Sequence, residues 1–244
     1  MARFKSINDL VNQVAIEVGV KKVPDVFAAI DTSFAQLTAL ADSCGYELLQ
    51  DSAWEGLVRE HAITTQSTDS GEYDLPADFA YMINQTGWDQ TNNVPLGGPL
   101  SAQDWQYLEG RDLVSSTIYA SFREVENKFN LFPQPPPDGL EIRFEYISRN
   151  WVQKSGQSGV YDDKVTQPSD IVLFEPHLFE RLLKLRFLEA RGFDTTAAMG
   201  QYSKSFTSWS GKDKGAPILN AGRGRHGVPY LNGFRNTPDS GFGT

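Results

Sequence analysis

The stretch LEIRFEYISRNWV, residues 140–152, decides how this chain is read. Ile142, Phe144 and Tyr146, followed by Ser148, alternate along it. A period of two places these residues on one face of a strand. The preceding STIYASFREVENKFNLFPQP, residues 116–135, behaves alike. Ile118, Ala120 and Phe122 alternate, as do Phe129 and Leu131, with Asn127 as the expected turn. Pro135, Pro136, Pro137, Asp138 and Gly139 then form a rigid connection into the next strand.

Toward the N-terminus the same reading extends to residue 60. HAITTQSTDSGEYDLP gives a strand, a polar turn and a short strand stopped by Pro76. FAYMINQTGWDQTNNVPL gives two strands joined near Asn92 and Asn93, which tolerate a left-handed backbone. SAQDWQYLEG is a short helix with Ser101 as its cap and Gly110 as its stop. Residues 60–151 are thus expected to be mostly antiparallel β.

Outside that stretch the period becomes helical. Ile7, Leu10, Val11, Val14, Ile16 and Val18 form one stripe, with Ser6 before it and Gly19 after it. A second helix is predicted from Pro24, carrying Val26, Phe27, Ile30, Phe34, Leu37 and Leu40, with an end or a break at Gly45. DSAWEGLVR, residues 51–59, suits another short helical turn. Residues 153–170 form a polar loop. EPHLFERLLKLRFLEARG, residues 175–192, is the clearest helix, and Asp194 starts another. The expected fold class is α+β: N- and C-terminal helices packed as a bundle, an inserted antiparallel β module and an extended C-terminal arm. The corresponding domains are 1–59 plus 172–211, 60–171 and 212–244.

Composition narrows the function. The 244 residues carry a net charge of −9, which opposes sequence-independent binding of phosphate backbones over most of the surface. A single cysteine, Cys44, excludes an intrachain disulfide. The N-terminal stretch lacks the apolar run of a signal peptide, and no segment has the length of a membrane span, so a soluble chain is expected. The arm reverses the charge: from Gly215 onward Arg223, Arg225 and Arg235 face only Asp239. Ile218, Leu219, Tyr230, Leu231, Phe234 and Phe242 punctuate it like anchors.

Chemistry is sparse. His61, His177 and His226 have no His or Cys at zinc-ligand spacing, so no metal and no cofactor is expected. Asp162, Asp163 and Asp170 lack EF-hand spacing and suit a solvated turn better than calcium. Glu124 and Glu126 alternate on one strand and form a weak candidate for a glycosidase pair. The five tryptophans suit packing better than an exposed sugar platform. No catalytic residue is assigned, and the chain is not expected to be an enzyme.

One long stretch resembles a known family. Tyr73, Leu75, Pro76, Asp78 and Phe79 read Tyr-x-Leu-Pro-x-Asp-Phe. Thr86, Trp88 and Asp89 follow as Thr-x-Trp-Asp, then Gly98, Pro99 and a small helix with Gln103 and Trp105. These motifs, with EYISRNWV and LLKLRFLEARGFD, resemble head-to-tail connector (adaptor) proteins of tailed bacteriophages, especially the tubular tail protein A type of short-tailed phages. The resemblance spans about residues 5–205 and leaves the arm unaligned. It implies a structural virion protein of the neck and tail, assembled in the host cytoplasm. It also implies a ring, commonly a dodecamer, joining the capsid portal to the tail nozzle or next tail component. DNA would pass through the lumen without specific binding, and no membrane is involved. The arm is then the expected portal-binding segment. A stopper or tail terminator, or a carbohydrate-binding or glycan-hydrolysing tail module, remain the alternatives.

Overall fold

A computed structural model describes residues 3–110, 120–156 and 159–213. In chain order the elements are β1 (Lys5–Ser6), α1 (Ile7–Glu17), α2 (Thr32–Asp51), β2 (Val58–Thr64), β3 (Glu72–Asp74), β4 (Phe79–Met82), β5 (Trp88–Asp89) and β6 (Val94–Pro95). Then come α3 (Ala102–Gly110), β7 (Ser121–Val125), β8 (Lys128–Phe132), β9 (Glu141–Ser148), β10 (Val152–Gln153), β11 (Tyr161–Asp162), β12 (Ile171–Val172), α4 (Pro176–Arg191) and α5 (Thr196–Asp213).

This architecture overturns the helical-bundle expectation. The described residues form five α-helices and twelve strands in three antiparallel sheets, a β-rich mixed fold. The expectation failed because two-residue strands leave no periodic trace. β1 pairs with β12, and β12 with β10, bringing Lys5–Ser6, Ile171–Val172 and Val152–Gln153 into one sheet with β11. The 153–170 loop therefore contains strand structure, and the helices pack on a sheet as well as on one another. Ile147, Trp151, Val152, Val172, Leu173 and Phe174 share a core with residues of α1, α2 and α4.

The second core lies between the other two sheets. β9 is central in one of them: β2 pairs along its whole length, while β4 and β5 share its opposite edge. The facing sheet runs β3-β8-β7. Phe122, Phe129 and Phe144 form a continuous stack between them, with ring centroids 4.9 Å and 5.0 Å apart. The β7–β8 hairpin closes through Glu126 and Asn127, both at positive φ, as a two-residue turn of the primed type requires.

The helices differ from expectation in several places, and Ile16, expected on the α1 stripe, is exposed. Residues 24–31 are not helical, and α2 starts at Thr32 behind the Asp31 cap. The side chains of Asn8 and Asn12 take over the backbone here. Asn12 donates to Val23 O and accepts from Val23 N, both at 2.9 Å, and Asn8 accepts from Val26 N at 3.2 Å. Ile30, expected on the apolar stripe, is fully exposed. Conversely, α2 runs through Gly45 without a break, and Trp151 packs so closely on that glycine that a Cβ has no room. DSAWEGLVR contains one 3-10 turn, Glu55–Leu57, and then enters β2.

Candidate functional site

Of the residues that carry the family resemblance, Asp78, Phe79, Thr86, Trp88 and Asp89 bond to, pack on or pair with β9. Asp78 follows Pro76 in the turn into β4 and receives Tyr146 Oη at 3.0 Å and Ser148 Oγ at 2.6 Å. Its carbonyl accepts from Arg149 N at 2.7 Å. One carboxylate thus clamps the turn to the end of the central strand. Burial and this bond push the Tyr146 phenol up to about 12. Phe79 packs on Tyr146 at 5.6 Å between centroids. Leu75 is buried in the same core, Tyr73 packs against it, and Tyr73 Oη donates to Asp69 at 3.0 Å.

Asp89 performs a similar task at the β5–β6 turn. It is almost fully buried, accepting from Thr91 N at 2.9 Å, Asn92 N at 3.1 Å and Asn92 Nδ2 at 2.7 Å. Thr86 Oγ1 donates to Ile83 O at 2.6 Å and accepts from Glu145 N at 3.1 Å. Gly98 lies so close to β7 that a Cβ there would stand 2.6 Å from Phe122 O, which explains the glycine before Pro99. Ser101 accepts from Asp104 N at 3.2 Å and caps α3, as expected from the sequence. Trp105 is buried edge-on to Phe132 and donates to Glu109 at 2.6 Å. Gln103, also in α3, is exposed.

Trp88 differs from its neighbours. The pairing register sets Ala62, Arg143, Trp88 and Pro95 side by side across β2, β9, β5 and β6, on the face away from the phenylalanine stack. Glu60 and Glu145 form the adjacent cross-strand pair. Arg143 bridges Glu60 at 2.8 Å and also pairs with Glu141. Together with Gln85, Thr86 and Gln90, Trp88, Arg143, Glu60 and Glu145 line an open groove of about 330 Å³. Sequence reading singled out Thr86 and Trp88 but did not join them to Glu60, Arg143 and Glu145, because only the cross-strand register brings the strands together.

The remaining candidates separate. Glu124 is half-buried on β7, and burial raises its carboxyl. Glu126 occupies the turn at positive φ, so the two do not share a strand face as expected. Asp163 pairs with Arg149 at 2.7 Å, and Asp162 and Asp170 both pair with Lys154. Among the described residues no group of three or more His, Cys, Asp or Glu is placed to hold a metal ion. His61 stacks edge-on to Phe144, and burial lowers its ring. His177 is largely exposed beside Glu180 at 3.3 Å. Cys44 is fully buried, which pushes its thiol far up. Trp54, Trp105 and Trp151 are buried, and Trp88 and Trp209 are half-buried. No described helix is long and apolar enough to cross a membrane. Ile118, His226 and the arm residues Ile218, Leu219, Arg223, Arg225, Tyr230, Leu231, Phe234, Arg235 and Phe242 lie outside the described residues.

No protein-family model matches the chain. No curated protein matches it either.

Proposed function

We propose that the chain is a structural subunit of a phage neck ring, joining the portal to the next tail component and extending the DNA channel. The observation that carries this reading is the use made of the resembling residues. The Asp78 carboxylate holds one turn to β9, the Asp89 carboxylate closes the β5–β6 turn on itself, and Trp105 packs the adjoining helix. These are the tasks of a scaffold that presents hairpins to partners. The net charge of −9 suits a lumen along which DNA must slide without adhering. The arm, with its three arginines and spaced apolar residues, is the proposed grip on portal carboxylates.

The test is assembly. The purified full-length chain is mixed with the portal protein encoded in the same genome and imaged by electron microscopy. Closed rings seated coaxially on the portal are expected, and deletion of residues 214–244 should weaken docking at least tenfold, about 1.4 kcal/mol. Absence of any ring or portal complex would overturn the reading. A ring that docks equally well without the arm would overturn the arm's role alone.

A further inference from the structure

We propose that the Trp88 groove is a receptor for arginine, and that its occupant is the chain's own Gly222–Gly227 segment, GRGRHG. The proposal concerns the chain without a portal and does not depend on the virion reading; a portal would compete for the same two arginines. The proposal rests on charge, on free groups and on reach.

Three carboxylates, Glu60, Glu141 and Glu145, surround a single guanidinium, Arg143, on this face. That balance repels phosphate and carboxylate ligands and attracts cations. Arg143 is held by Glu60 and Glu141, whereas Glu145 has no side-chain partner among the described residues. Trp88 presents an aromatic wall beside it, and the amides of Gln85 and Gln90 are likewise uncommitted. An indole flanked by a free carboxylate is the arrangement that a guanidinium fits, stacking on the ring while donating to the oxygens. Amide oxygens accept its remaining N–H groups.

The arm meets these requirements. Arg223 and Arg225 alternate with glycines, whose lack of a side chain lets the backbone approach a flat sheet closely. It also starts nearby. Asp213, the last residue of α5, accepts from Glu55 N at 2.8 Å. Glu55 is five residues before Glu60, which is at most about 17 Å along an extended chain. Residues 214–222 can span about 30 Å when extended, so Arg223 and Arg225 reach the groove without a second copy.

Disulfide trapping in the full-length chain tests this. The only native thiol, Cys44, is buried and does not compete. In a Gln90→Cys/Arg225→Cys variant, Arg223 remains to dock, and an intramolecular disulfide is expected. It should form at least about tenfold faster than in Met199→Cys/Arg225→Cys, because docking raises the local concentration of the arm. Met199 is exposed and about 21 Å from Asp213 along α5, a similar reach without the carboxylates. Adding Glu145→Gln, which removes no side-chain hydrogen bond or ion pair among the described residues, should abolish most of that advantage while leaving the melting temperature unchanged. Equal rates for the two cysteine pairs, a covalent dimer as the main product, or indifference to Glu145→Gln would each overturn the proposal.

Discussion

Substituting Gly45 by alanine sets two ordinary effects against each other. Gly45 lies inside α2, where glycine costs about 1 kcal/mol relative to alanine. Helix propensity alone therefore predicts stabilisation. Packing predicts the reverse. A Cβ at this position would stand 2.2 Å from Trp151 Cζ2 and 2.3 Å from Cε2. Carbon atoms in contact sit about 3.5–4.0 Å apart, so the indole must retreat by roughly 1.3 Å. Trp151 is fully buried, with Phe174 at 5.8 Å and Phe179 at 6.1 Å between ring centroids, so it has little room to move. Overpacking usually costs about 1–3 kcal/mol and sometimes more; a trapped ring belongs at the upper end, about 3–4 kcal/mol. Subtracting the propensity gain leaves a loss of about 2–3 kcal/mol, or roughly 4–12 °C in melting temperature for a chain of this size. Thermal and urea unfolding followed by circular dichroism measure it. Trp151→Phe supplies the control, because the indole N–H has no hydrogen-bond partner to lose. The double variant should recover at least about 1 kcal/mol relative to additivity. A Gly45→Ala protein as stable as the parent, or strict additivity with Trp151→Phe, would refute this reasoning.

Three further outcomes follow from single side chains. Asp78→Ala strands the Tyr146 and Ser148 hydroxyls and should cost about 3 kcal/mol in urea unfolding; a change within error would deny the clamp its role. Glu124 titrates above its ordinary 4.5 because of burial, so its unfavourable contribution sets in as pH rises past that value and is complete only above the raised one. Glu124→Gln should accordingly raise the melting temperature at about pH 7 and leave it unchanged at about pH 3.5, where both forms are neutral. His61 titrates below its ordinary 6.5, again through burial, so the folded state loses stability as pH falls from that value toward its own. His61→Gln should flatten this part of the pH–stability curve, and an unaltered slope would assign the loss to other groups.

Much of the local structure was legible because its causes are local. The Ser6 and Ser101 caps, the stripe of α1 apart from Ile16, the stop at Gly192 and the Asn127 turn each depend on residues a few positions apart. What escaped depends on partners distant in sequence. Nothing within residues 23–31 announces that Asn12 will claim the backbone of Val23 and Asn8 that of Pro24 and Val26. Nothing beside Gly45 announces Trp151. The fold class failed for the same reason: β1, β10, β11 and β12 are too short to show alternation and exist only through pairing. The groove was half legible. Trp88 could be singled out by type, but its alignment with Arg143, Glu60 and Glu145 is a matter of register.

β9 begins in one core and ends at the other. Ile142, Phe144 and Tyr146 point into the aromatic stack between the sheets, whereas Ile147 and, just beyond the strand, Trp151 and Val152 belong to the core beneath the helices. A joint of this kind is a continuous beam and not a hinge. Neither layer can melt without stripping apolar cover from a strand that the other still needs, so both should be lost in one cooperative transition. A load applied to the helices would reach the hairpins as shear along the β2–β9 ladder, where seven consecutive residue pairs share it.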